Sequence, residues 1–307
     1  MRLLAPVWSL SLALLFAAAG SALHAADRPA VSTGWAHRVL IGDDSKQILA
    51  IVDAKGDIEW SQPIRSIHDA WLLDSGNLLF QTDWQTIVEM TPDKREVWRY
   101  DAGKSNGNAG RPVEVHAFQR LPDGRTMIAE SGPGRIIEVD SRGRLEKEIP
   151  LKIEHHASHT DTRLVRKLDN GHYLVAHEGE NKIVREYDDR GAVVWEFEPH
   201  SKVYSAMRLA SGNTLIGCGD GHRVIEVDPA GKIVWSVGEK DLPGIMLAWV
   251  TMVERLPDGN TVIVNCHAGP ENPQIIEVTP EKQVVWTFKD FERFGNSMPV
   301  ARVLDAK

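Results

Sequence analysis

Residues 208–238 read RLASGNTLIGCGDGHRVIEVDPAGKIVWSVG, and nearly the same phrase is written five times along the chain. Within it, residues 214–217 and 223–228 are short aliphatic or β-branched runs bounded by Gly, Asp or Pro, the pattern of strands separated by tight turns. Ser211-Gly212-Asn213 and Pro229-Ala230-Gly231 supply the turns, because glycine takes the positive φ such corners need and proline presets the first one. The phrase recurs from Leu72, Arg120, Lys167 and Arg255, so Gly76, Gly124, Gly171, Gly212 and Gly259 mark one equivalent turn at spacings of 48, 47, 41 and 47 residues. A period in the forties with about four short strands per unit predicts an all-β fold, a β-propeller with one blade per repeat.

The chain ends set the blade count. Residues 38–60 (RVLIGDDSKQILAIVDAKGDIEW) match the last three strands of a repeat, and residues 300–307 (VARVLDAK) match only its first. Joined, they make a sixth blade: the C-terminal strand pairs with the N-terminal blade and closes the ring, which removes open sheet edges.

Residues 1–26 carry one early Arg, an apolar run over residues 10–19 and small residues before Asp27. This predicts a secretory signal peptide, too short in its apolar run to be an ordinary membrane span, and hence a periplasmic or secreted protein. Residues 27–307 are expected to form one six-bladed domain. Without Arg2 the chain holds 34 basic against 43 acidic residues, a net charge of −9. That balance excludes a broad basic face for nucleic acid, and no other segment is apolar for long enough to cross a bilayer. A monomer acting on a small molecule is expected.

Trp60, Trp98, Trp195, Trp235 and Trp286 each lie seven residues past the Asp or Thr that closes the third strand; Lys147 takes that place in blade three. A large ring on every outer strand reads as packing between blades. The segment Val227-Asp228-Pro229-Ala230-Gly231-Lys232-Ile233-Val234-Trp235 resembles the tryptophan-docking phrase of the PQQ-like propeller superfamily, a likeness that covers nearly the whole chain after the leader. Quinone dehydrogenases of that superfamily often carry two vicinal cysteines over the cofactor. Here the only two cysteines, Cys218 and Cys266, are 48 residues apart, so no quinone and no other cofactor is expected. They read as two small buried hydrophobes, with a disulfide as the alternative.

In a propeller the first strand of each blade lines the central channel, and it starts on the face that also carries the loops between second and third strands. Binding groups should collect there, on loops held by a rigid scaffold. Counting eight residues back from each turn glycine gives His68, His116, Arg163, Tyr204 and Thr251, with Pro299 as the sixth station by alignment. Unlike polar side chains at like stations point to ligand chemistry: His68, His116, Arg163 and Tyr204 as catalytic candidates, and His159, His177, Glu178 and His267 as ligand-binding ones. Asp83, Glu130 and Asp220 come from the same set of loops. Histidine trades a proton near neutral pH or acts as a nucleophile, and arginine grips a carboxylate, sulfate or phosphate with two prongs. The structural alternative is that these groups only satisfy strand-end carbonyls and channel water. His155, His156 and His159, or His68 with His116, offer metal ligands, but no Cys-x-x-Cys or His-Glu-x-x-His spacing supports a metal, and none is expected.

The segment Ile67-His68-Asp69-Ala70-Trp71-Leu72-Leu73-Asp74-Ser75-Gly76-Asn77-Leu78-Leu79 is similar to the blade phrase of the bacterial arylsulfotransferase family. The resemblance implies a six-bladed periplasmic enzyme in which a channel histidine, here His68 or His116, is transiently sulfated, with Arg163 as anion clamp and Tyr204 assisting proton transfer. Three readings stand: a small-ligand propeller taking an anionic or aromatic molecule, with sulfuryl transfer as one version; a lyase eliminating across a uronic-acid sugar; and a non-catalytic scaffold for periplasmic assembly.

Overall fold

The structure is a computed structural model and describes residues 32–33 and 36–306; the leader expected over residues 1–26 lies outside the described residues. Six sheets, each containing a four-stranded antiparallel meander, form the ring. Blade five shows the unit: Ser205–Arg208 innermost, then Thr214–Gly217, Arg223–Val227 and Ile233–Gly238. The middle strands are buried on both faces, which is why they are written as unbroken apolar runs. The glycine closing the first turn sits at φ +81° to +94° in all five complete repeats, a left-handed geometry that an L side chain resists.

Blade one, shared between the two chain ends, closes as they require. Val300–Val303 pairs antiparallel with Val39–Asp43, setting Val39 opposite Val303 and Gly42 opposite Val300, and Ile48–Val52 and Ile58–Pro63 complete the sheet. A feature without a signal in the repeats is Ser32–Thr33, which adds a fifth strand, parallel to Val284–Phe288, on the outer edge of blade six.

Every blade has a bulge at the same register point between its third and fourth strands, for example at Glu226/Val227 and Glu277/Val278, and a bulge there raises the local twist. The glutamate before the bulge is one part of a recurring inter-blade unit. Arg208 at the end of one inner strand lies over the Trp195 ring of the preceding blade, 5.2 Å from its centroid, and ion-pairs Glu186 at 2.6 Å. Arg120 repeats this with Trp98 and Glu89, and Arg255 with Trp235 and Glu226. The tryptophans therefore pack between blades as expected, with an arginine and a glutamate that complete each joint. At the closure joint His37 stands where an arginine stands elsewhere: Nε2 is 2.9 Å from Glu277, and the ring meets Trp286 edge-on at 4.8 Å.

Deeper along the inner strands the channel is filled. Asp69, fully buried, takes Arg166 at 2.7 Å and Arg302 at 3.0 Å, and both guanidiniums lie against Trp71, at 4.7 and 3.9 Å. The polar mouth thus has a closed floor.

Candidate functional site

The inner strands hold the stations with their own hydrogen bonds. His68 precedes Ala70–Leu72, and its backbone N–H donates to Gln81 Oε1 at 2.8 Å, while the Gln81 amide donates to the Val115 carbonyl. His116 lies within Glu114–Arg120, its Nδ1 2.7 Å from the Thr162 carbonyl. Arg163 donates through Nη1 to the His159 carbonyl at 2.5 Å and through Nε to Glu178. Tyr204 precedes Ser205–Arg208.

These side chains converge. The His68 ring lies 4.6 Å from His116, 5.5 Å from Tyr204 and 5.9 Å from His159, and Arg163 is 5.7 Å from the Tyr204 ring centre. His68, His159, Arg163 and Tyr204 border a cavity of about 220 Å³ that also takes in Thr251, Pro299, Trp84, Trp249, Asp44 and His267, while His116 lies buried against His68 outside that lining. The opposite face has a larger groove, about 690 Å³, between blades four and five. Its charges are largely mutually paired, as in Arg208–Glu186, so it belongs to the inter-blade joints.

Burial controls the electrostatics of the mouth. His68 is driven well below the ordinary histidine range by burial, and by the positive charges that His116, Arg163 and His159 place nearby. His116 is lowered to about 4 by burial, against the pull of Glu114. Burial works against charge on Glu114, but hydrogen bonds to His116 and His159 outweigh it and hold the carboxyl at about 2. Asp44 goes the other way, raised to about 7 by burial despite its bond from the Ile67 N–H. Tyr204 is raised well above the phenol range by burial. Neither Tyr204 Oη nor His68 Nδ1 has a hydrogen-bond partner among the described residues, although the two residues are only 3% and 6% exposed. A buried polar atom left unpaired costs about 1–3 kcal/mol.

Other sequence candidates land elsewhere. His177 is buried between the Asp161 carbonyl and the Tyr187 hydroxyl, at 2.7 and 2.9 Å, and both ring nitrogens are occupied away from the cavity. Glu178 reaches the site only through Arg163. His267 is exposed at the cavity edge with φ +59°. Asp83 and Asp220 cap backbone N–H groups, those of Gln85 and Lys202, and Glu130 pairs Arg135 and Tyr100 between blades. Cys218 and Cys266 are free and buried. Sequence reasoning missed Asp44, Trp84, Trp249 and Glu114. Only Glu114 had a legible signal, since it stands two residues before His116 on one strand and so shares its face.

No curated protein matches the chain. Among solved structures it is similar to a protein of unknown function from Bacteroides caccae: TM-score 0.75, 24% identity, covering 86% of this chain and 97% of that one. It is also similar to a catalytically inactive virginiamycin B lyase from Staphylococcus aureus with quinupristin: TM-score 0.59, 11% identity, 84% and 87% covered. A third is the dihydro-heme d1 dehydrogenase NirN: TM-score 0.51, 12% identity, 85% and 65% covered. At these identities the likeness is one of fold. A family model described as "Outer membrane protein assembly factor BamB" matches residues 6–167 and again 165–272, and the chain belongs to that PQQ-like propeller family.

Proposed function

We propose that this is an exported propeller whose channel mouth binds a small ring-bearing molecule and moves a proton on it, with elimination as the reaction class. The observation that carries the reading is the pair of buried, unpartnered polar atoms, His68 Nδ1 and Tyr204 Oη, on one cavity walled by Trp84 and Trp249. A ligand that bonds to both recovers the cost of burying them, and the indole rings offer it apolar faces. In the step, neutral His68 takes a proton from a carbon next to a carboxylate or carbonyl. The bond from the neighbouring carbon to its oxygen leaving group breaks, a C=C bond forms, and Tyr204 protonates the departing oxygen; solvent then returns the proton from His68 to Tyr204. Arg163, which lines the cavity, is the contact for a carboxylate.

Sulfuryl transfer is less well supported, because both ring nitrogens of His116, one of its two candidate nucleophiles, are already engaged, by the Thr162 carbonyl and by Glu114. Export is supported by the leader and by a family described as an outer-membrane assembly factor; among the described residues no helix is long and apolar enough to cross a membrane. The family description also favours a second reading, an interaction scaffold in outer-membrane protein assembly.

The test is to incubate the full chain with polyuronates and with aryl carboxylates that carry a β-leaving group, following the ultraviolet absorbance of unsaturated products, alongside phenolic sulfates for phenol release. Turnover abolished by His68→Ala and reduced at least about 100-fold by Tyr204→Phe is expected of proton-transfer catalysis. Partners co-purifying equally with wild type and His68→Ala, together with no ligand detected at the mouth, would favour the scaffold.

A further inference from the structure

The notable chemistry left over at the mouth is the trio Glu114, His116 and His159. Their ligand atoms, Glu114 Oε2, His116 Nε2 and His159 Nδ1, all lie within 4.8 Å of one another, and Oε2 is 3.0 Å from the first imidazole nitrogen and 2.6 Å from the second. The His116 tautomer gives this meaning. Nδ1 lies 2.7 Å from the Thr162 carbonyl, which requires the ring to donate there. The 3.3 Å approach of Arg163 Nη1 to the same atom is the weaker contact, since Nη1 already donates to the His159 carbonyl at 2.5 Å. With Nδ1–H committed, Nε2 of a neutral ring presents a lone pair to a carboxylate oxygen, an arrangement that needs a cation between them. An N–H held by a backbone carbonyl is also how metal-binding histidines are oriented from behind. A neutral His159 can satisfy Oε2 with its own Nδ1–H, so the contact that lacks a donor is the one from His116 Nε2, and a metal ion there engages all three groups.

The donor set is two imidazoles and one carboxylate, which suits zinc and its neighbours and leaves a coordination position open. Glu114 and His116 come two apart from a rigid inner strand. His159 comes from a loop pinned by buried Asp161, whose carboxylate accepts from the N–H groups of Ala157 and Gly132 at 2.7 and 3.1 Å. The His68 ring, 4.6 Å from His116, places the open side at the cavity.

We infer that Glu114, His116 and His159 form a binding site for one divalent transition-metal ion of the zinc class, open towards the channel mouth. The inference goes beyond the elimination reading and does not depend on it.

The experiment uses untagged full chain, dialysed against chelator and titrated calorimetrically with zinc chloride, with cobalt(II) as a spectroscopic probe for visible bands of a low-coordinate site. One ion per chain is expected. His159→Ala, at an exposed position that leaves the fold intact, should weaken binding by at least about 100-fold, and Glu114→Gln by about 10–100-fold. His155→Ala/His156→Ala, altering the neighbouring exposed histidines, should leave it unchanged. No saturable zinc binding, or binding that survives His159→Ala and is lost in His155→Ala/His156→Ala, overturns the inference. Zinc bound as expected with no lyase turnover leaves the site standing while the elimination reading falls.

Discussion

Replacing Tyr204 by Phe should make the ligand-free protein more stable. The tyrosine is 3% exposed, and its hydroxyl has no hydrogen-bond partner among the described residues. Leaving such a group buried and unpaired costs about 1–3 kcal/mol, and phenylalanine keeps the ring's packing while removing the oxygen. A gain of about 1–2 kcal/mol follows, or a rise in Tm of roughly 2–6 °C for a domain of this size. Two other buried tyrosines serve as controls. Tyr187 Oη is 2.9 Å from His177 Nε2, and Tyr173 Oη donates to Glu138 at 2.5 Å. Tyr187→Phe leaves His177 Nε2 buried without a partner and should lose about 1–3 kcal/mol, whereas Tyr173→Phe, whose partner Glu138 keeps Lys167 and Arg125, should lose about 0.5–1.5 kcal/mol. Urea unfolding followed by circular dichroism measures all three, with unchanged m-values confirming that stability alone has moved. Should Tyr204→Phe lower the midpoint as much as Tyr187→Phe, the hydroxyl is already satisfied and the argument that the mouth needs a ligand fails.

The closure joint should be sensitive to pH. The Glu277 hydrogen bond, outweighing burial and helped by Asp305, raises His37 above its ordinary 6.5. Its contribution to stability is therefore complete below pH 6.5 and fades as pH climbs through the raised folded-state value; His37→Ala should flatten the Tm-against-pH curve across that range. Lys94 occupies a strand-connecting turn at φ +65°, where blades one and three to five use glycine; Lys94→Gly should stabilise by about 0.5–1 kcal/mol in chemical denaturation. Lys282 sits at φ +66° but its Nζ also holds Asp241 at 3.0 Å, so Lys282→Gly should gain less. Burial raises the thiols of Cys218 to about 11 and Cys266 to about 12. Ellman's reagent at pH 8 should label neither in the native protein and both in guanidinium, and absence of label in guanidinium would reveal a disulfide.

The blade count was legible because a turn that demands positive φ must repeat its glycine, and because the end fragments complement each other strand for strand. The stations were legible for a related reason: fixed distance from that glycine on a regular strand fixes which end of the channel a side chain meets. What escaped notice has no such ruler. Trp84 and Asp44 enter the cavity from loops, and Trp249 lies beyond a register shift between Val250 and Val253. His177 counts as a mouth residue by position but is turned away from the cavity, because the Asp161 carbonyl accepts from one ring nitrogen and the Tyr187 hydroxyl donates to the other. The Arg120, Arg208 and Arg255 joints were written in three repeats as Arg-Leu, yet their meaning depends on a glutamate and a tryptophan in the preceding blade, a relation across sheets that no single repeat displays.

The most direct test of the account is a crystal structure of the protein soaked with phenylacetate. The account predicts its ring between Trp84 and Tyr204 and its carboxylate at Arg163, with His68 Nδ1 or Tyr204 Oη within about 3 Å of the ligand. Phenylacetate bound only on the outer rim, with His68 and Tyr204 hydrogen-bonded to protein groups, would contradict it.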